Sequence, residues 1–196
     1  MNILHSSKND GWQTPAYILD AVHEVLGDID LDPASTECAD INVCAKRFIT
    51  KEENGLYARW QEIGGEPITI FINPPGGKLL NKSMSGLFWD RLMDYSDQGL
   101  VKHAIFLAFS IEALQTTQVN SRRSISHYPF CVPRTRLKFL DPTDGRRVSP
   151  THGQAIVYVP GTVDDTNLFV TVFSKIGVCS QHLAPRQELI GCAAWD

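Results

Sequence analysis

Ile68, Ile70, Phe71 and Ile72 form a short uncharged run of β-branched and aromatic residues, which predicts a buried strand. It stops at Asn73-Pro74-Pro75-Gly76-Gly77, a stretch that can neither continue a central strand nor enter a helix interior. Upstream, Ile18, Leu19, Val22, Val25 and Leu26 recur at helical spacing. Thr14 is the expected N-cap, Pro15 the first helical residue and Gly27 the stop, with Gly11 opening the folded part. Ile29 and Leu31 alternate with acids and predict a short strand ending at Asp32-Pro33-Ala34-Ser35. A short helix over 36–47 and a brief strand over Phe48-Ile49-Thr50 follow. Lys51 to Leu56 then reads as a turn, with a helical turn at Tyr57 to Trp60 and Trp60 as its buried anchor.

Beyond the central turn, Lys78 to Ser83 reads as a polar loop. Leu87, Phe88, Leu92 and Met93 mark a helix face. His103 to Phe109 is a second strongly apolar run and predicts a central strand. Ser110 to Val119 reads as a helix or turn. Ala155 to Pro160 is another strand, and Leu168 to Lys175 fits helix or strand equally. Strands alternating with helices predict an α/β fold: a mostly parallel central sheet with helices on both faces, in one domain spanning 1–196.

Composition narrows the class. A chain of 196 residues, 43% hydrophobic and 20% charged, suits one globular domain. No apolar run approaches the roughly 18 residues of a membrane span. The N-terminus, Met1 to Lys8, lacks the apolar core of a signal peptide. Five cysteines lie scattered at 38, 44, 131, 179 and 192, which fits a reducing cytoplasm and no disulfide framework. Without a Cys-x-x-Cys pair, and with dispersed histidines, no structural metal is expected. A net charge of −4 argues against diffuse coating of nucleic acid but leaves room for a local basic patch.

The chemistry concentrates at Asn73-Pro74-Pro75. Each residue before a proline is held extended, and neither proline has an N–H, so their carbonyls are open to a ligand. An Asn carboxamide oxygen beside a fixed backbone carbonyl suits an exocyclic amine with two hydrogens. An ordinary Asn-Pro-Pro-Gly turn is the competing reading. Gly76-Gly77-Lys78 is not a phosphate loop, because Leu79 follows the lysine and no glycine stands five residues before Gly77. A Gly-x-Ser-x-Gly hydrolase elbow is absent.

Strand-Asn-Pro-Pro resembles the catalytic motif of amino-group methyltransferases that use S-adenosylmethionine, in which an aromatic follows the prolines. Here Gly76 stands at that position. The Asp30-Leu31-Asp32-Pro33-Ala34 form is similar to one subgroup, the phage-type DNA N6-adenine methyltransferases. Trp12-Gln13-Thr14-Pro15 resembles the segment of those enzymes that lies against the methionine end of the cofactor. The resemblance implies a Rossmann-like methyltransferase fold, with Asn73, Pro74 and Pro75 holding the target amine. It implies that Trp12, Thr14, Pro15, Asp32, Pro33, Ala34, Asn54, Leu56 and Asn73 contact S-adenosylmethionine, with Asn54 and Leu56 bordering its adenine. Gly76 and Lys78 would face the flipped base and its strand, and Phe88, Trp89 or Tyr128 are the candidate replacements for the missing aromatic.

From Arg122 to Arg147 seven basic residues stand against Asp141 and Asp144, a balance of 7 − 2 = +5. Tyr128, Phe130 and Phe139 are interleaved, which suits a phosphate-contacting face; a solvated hairpin around Asp144-Gly145 is the competing reading. Val132 to Phe139 also resembles the family segment ending in Gly-Arg-Leu-Lys-Phe, which assigns Arg134, Arg136 and Lys138 to DNA. The expected function is transfer of a methyl group to the N6 amine of adenine at a specific DNA site. The alternatives are a non-catalytic DNA-binding protein on the same scaffold, or an enzyme with a different or modified acceptor base. The sequence leaves the oligomeric state open, and His152 receives no role.

Overall fold

A computed structural model describes residues 12–61, 65–141, 144–148 and 151–181. The expectations placed on Met1 to Lys8, Gly11, Cys192 and the C-terminal tail lie outside the described residues.

The chain begins with α1 (Ala16–Leu26) and β1 (Leu31–Asp32), then α2 (Glu37–Val43) and β2 (Arg47–Phe48). Next come β3 (Ile68–Ile72), the short pair β4 (Lys78–Leu79) and β5 (Lys82–Ser83), α3 (Met84–Asp97) and β6 (Val101–Ala108). The rest comprises α4 (Ala113–Asn120), β7 (Phe130–Pro133), β8 (Phe139–Leu140), β9 (Arg147–Val148), β10 (Ala155–Pro160), α5 (Thr166–Phe173) and β11 (Gly177–Ser180).

Seven strands form one sheet in the order β11-β7-β10-β6-β3-β1-β2. The pairs β1–β2, β1–β3 and β3–β6 are parallel; β10 runs antiparallel to both β6 and β7, and β11 antiparallel to β7. Five strands therefore point one way and two the other, which matches the expected mostly parallel sheet. Alternation along each strand divides the core between the two faces. Phe71, Ile105, Leu107, Ile156 and Tyr158 pack under α1 and α5. Ile70, Ile72, Ala104, Phe106 and Val157 pack under α3. Each large apolar side chain fully buried in these layers contributes about 1.5–3 kcal/mol.

Asp30 locks β1 to β3 from the loop before β1. Its N–H donates to the Thr69 carbonyl at 2.9 Å, and Thr69 N–H donates back to Asp30 Oδ2 at 2.9 Å. Burial pushes the Asp30 carboxyl up, but the hydrogen bonds from Lys46 Nζ, 2.8 Å away, and Thr69 outweigh it, so its pKa lies below the ordinary aspartate value.

Several local expectations change. The helix expected over 36–47 covers only Glu37–Val43, because Cys44 turns into the left-handed region at φ 54°. The brief strand falls at Arg47–Phe48, with Ile49 and Thr50 beyond it. Lys78 to Ser83 is a hairpin, not a loop. The ambiguous segment 168–175 is helical to Phe173; its buried Phe169, Val172 and Phe173 follow helical spacing. Thr14 is not the N-cap of α1: Pro15 holds that place without a side-chain cap.

Candidate active site

The chain leaves β1 for α2 and β2 on one side, and leaves β3 for α3 and β6 on the other. The carboxyl ends of β1 and β3 are thus a topological switch point, where open α/β sheets bind ligands. A cleft of ≈ 680 Å³, counted to its open mouth, lies there. Pro33 and Ala34 form one wall, Asn54 and Leu56 another, and Pro75, Leu79, Met84 and Phe88 a third.

Each wall has a local cause. Asp32 is buried and its Oδ1 accepts from Ala34 N–H at 3.0 Å, so the carboxylate shapes the turn that carries Pro33 and Ala34. Thr36 Oγ1, not Asp32, accepts from Ala39 N–H in the first turn of α2. Asn54 sits at φ 60°, and its Oδ1 accepts from Leu56 N–H at 3.2 Å. Gly55 is pressed against the β1 turn: a Cβ there would lie 1.8 Å from the Pro33 carbonyl oxygen. The Gly55 carbonyl accepts from the buried Trp60 Nε1 at 2.8 Å. Trp60 in turn stacks on Tyr95, ring centroids 5.0 Å apart, under the Arg91 guanidinium. Trp60 is the anchor the sequence suggests. The close approach of Gly55 was not foreseen, although a glycine between Asn54 and Leu56 is its signature.

The Asn73 turn borders this cleft through Pro75. Asn73 is half-buried, and its Nδ2 donates to Oγ1 of the buried Thr14 at 3.1 Å. That bond holds the carboxamide against Thr14, and Oδ1 has no hydrogen bond among the described residues. Thr14 therefore supports Asn73, Pro15 caps α1, and Trp12 packs at the edge of the core under α1; none of the three lines the cleft, whereas Pro33, Ala34, Asn54 and Leu56 do.

Gly76 is exposed, and a Cβ added there meets nothing within 4 Å. Packing does not demand glycine at this position. Two of the suggested substitute aromatics are engaged elsewhere. Trp89 is fully buried and its Nε1 donates to the Arg123 carbonyl; the Tyr128 hydroxyl contacts Met93 Sδ and Arg123. Phe88 is buried in the cleft wall.

The basic segment divides. Arg122 and Arg123 pair with Asp97, and Arg146 with Asp144. Arg134 is exposed, yet its guanidinium donates to the Lys175 and Ser174 carbonyls at 2.7 and 3.1 Å, capping the C-terminal end of α5. Arg136, Lys138 and Arg147 are exposed and form no ion pair among the described residues. Arg136 and Lys138 precede the β8–β9 hairpin and Arg147 lies in its second strand; the hairpin, which the sequence offers as the competing reading, does form. Gln13 and Leu140 exchange two backbone hydrogen bonds, at 3.0 and 3.1 Å, tying that hairpin to the segment that carries Thr14. Buried Gln154, unmarked in the sequence, braces the same edge: its Oε1 accepts from Leu137 N–H at 3.0 Å and its Nε2 donates to the His152 carbonyl.

A ligand crevice at the sheet's switch point, with a rigid amide-bearing turn at its mouth, defines a Rossmann-like methyltransferase. The family model for DNA N-6-adenine-methyltransferase (Dam) matches residues 2–159. The chain belongs to that family, whose activity is methylation of adenine N6 in DNA. No curated protein and no solved structure matches it. The family implies S-adenosylmethionine as methyl donor and DNA as substrate. No described helix is long and apolar enough to cross a membrane, and among the described residues no group of three His, Cys, Asp or Glu side chains is placed to hold a metal.

Proposed function

We propose that the chain is a site-specific DNA adenine-N6 methyltransferase acting as one domain in the cytoplasm, with S-adenosylmethionine in the cleft between the ends of β1 and β3. The observation that carries this is the Thr14–Asn73 bond, which holds the carboxamide of the turn whose Pro75 lines that cleft. The residues fit the cofactor: Leu56, Phe88, Pro33 and Pro75 offer apolar walls for a flat ring. When bound, S-adenosylmethionine supplies a methyl group on a positively charged sulfur.

The protein supplies position. Asn73 Oδ1 and the Pro74 carbonyl accept the two amine hydrogens and aim the nitrogen lone pair at the cleft. Both are partial negative charges already in place, so they favour the positive charge that grows on nitrogen. An adenine in duplex DNA reaches them only when flipped from the stack. Arg136 and Lys138 hold the backbone by phosphate contact.

Incubating DNA with labelled cofactor tests the reading. Wild-type protein should yield labelled N6-methyladenine, and Asn73→Ala should yield none while keeping cofactor affinity. Turnover in that variant at the wild-type rate overturns the assignment.

A further inference from the structure

The turn at Asn73-Pro74-Pro75 runs straight into the β4–β5 hairpin. Lys78 pairs with Ser83 and Leu79 with Lys82, leaving a two-residue loop of Leu80 and Asn81. Their φ values are 49° and 66°, so both central residues lie in the left-handed region that such tight hairpin turns require. Asn tolerates that region; leucine has no local hydrogen bond to offset the clash of its Cβ.

The base of the hairpin is fixed. Met84 N–H donates to the Gly77 carbonyl at 3.0 Å, Ser83 Oγ caps α3 by accepting from Gly86 N–H at 3.0 Å, and Leu79 packs at the cleft. The tip is the reverse. Leu80 is 76% exposed, and exposed Lys78 and Lys82 stand on either side of it. A large apolar side chain is thus held out into water, in an unfavourable backbone conformation, on a rigid mount beside the candidate catalytic turn. Folding gains nothing from leucine at this position. Backbone strain of this kind persists where function uses it.

We propose that Leu80 is a wedge that enters the base stack of duplex DNA next to the extruded adenine, with Lys78 and Lys82 on the neighbouring phosphates. Leucine is among the side chains that proteins insert between base steps, and two cations straddling it match the charge of the strand it would part. The inference rests on the methyltransferase reading above, and it assigns that site a duplex substrate.

The test compares one unmethylated DNA as duplex and after heat denaturation, using labelled S-adenosylmethionine and the full chain. Leu80→Asn and Leu80→Gly suit the left-handed backbone, so the hairpin is retained while the apolar tip is lost. The expected result is a duplex rate lowered by about tenfold, with the single-strand rate within about twofold of wild type, because an unpaired base needs no wedge. Leu80→Met should recover most of the duplex rate. Equal loss on both substrates, or no loss on duplex as a contact with another protein would give, overturns the wedge; so does a wild type that labels only single strands. A wild type that labels neither DNA overturns the methyltransferase reading first, before any variant is compared.

Discussion

The Thr14 hydroxyl oxygen sits 3.1 Å from Asn73 Nδ2, across 59 residues of sequence. The residue that the pattern marks as a helix cap thus orients the amide of the candidate catalytic turn. Thr14→Val keeps the shape and removes the acceptor, so the carboxamide is free to rotate. We expect turnover to fall by about tenfold or more, the cost of a part-buried positioning hydrogen bond, with cofactor affinity unchanged and Thr14→Ser near wild type. Steady-state kinetics beside calorimetric titration of S-adenosylmethionine will separate the two.

Gly55→Ala places a methyl group 1.8 Å from the Pro33 carbonyl oxygen. The two turns that bound the cleft must part, at about 1–3 kcal/mol of overpacking. Cofactor affinity should drop by about tenfold or more, with DNA affinity little changed. An unaltered titration curve would show that the cleft does not hold the cofactor.

Gly76→Phe places its Cβ in open space, with nothing within 4 Å. If the flipped base lies beside this position, an aromatic adds stacking of about 1–3 kcal/mol. The expected outcome is a lower KM for DNA at unchanged melting temperature. A KM equal to wild type would place the base elsewhere.

Neutralising Arg136 and Lys138 together should reduce the slope of log affinity against log salt by about 2, one counterion for each phosphate contact. Arg134→Ala should leave the slope alone and lower the melting temperature, because its guanidinium bonds the end of α5. A slope that responds to Arg134 alone would reverse the assignment.

Asp30 gives the fold an acid limit. Its folded pKa lies below the ordinary value, so its stabilisation is complete above the unfolded pKa of about 3.9. It is lost as pH falls from there through the lower folded value. Urea midpoints should therefore differ between wild type and Asp30→Asn at pH 6, and converge toward pH 3.

The parts legible in the sequence were those with a local cause. The run Ile68 to Ile72 reads as a strand because four of its five residues are large and apolar and the fifth is a β-branched threonine, and the prolines after it end it wherever the rest of the chain goes. Pro33, Ala34, Asn54 and Leu56, grouped by resemblance, line one cleft. Thr14 looks like a helix cap in the sequence because the partner of its hydroxyl lies 59 residues on, beyond any helical or strand period. Arg122, Arg123 and Arg134 look alike in composition, yet Asp97 and the end of α5 engage them. The hairpin at Lys78 to Ser83 carries no Asn-Gly or Asp-Gly signal, since leucine holds a position that turn chemistry would give to glycine or asparagine.

The pairing of Gln13 with Leu140 has a consequence for biosynthesis. A chain emerging from the N-terminus exposes Thr14 early and Asn73 midway, but the backbone partner of the Thr14 segment arrives only with residue 140. Contacts so distant in sequence close late. A nascent or truncated chain ending before that point would hold every residue of the Asn73 turn and still lack the brace on the Thr14 segment, so competence for methyl transfer would wait for residue 140.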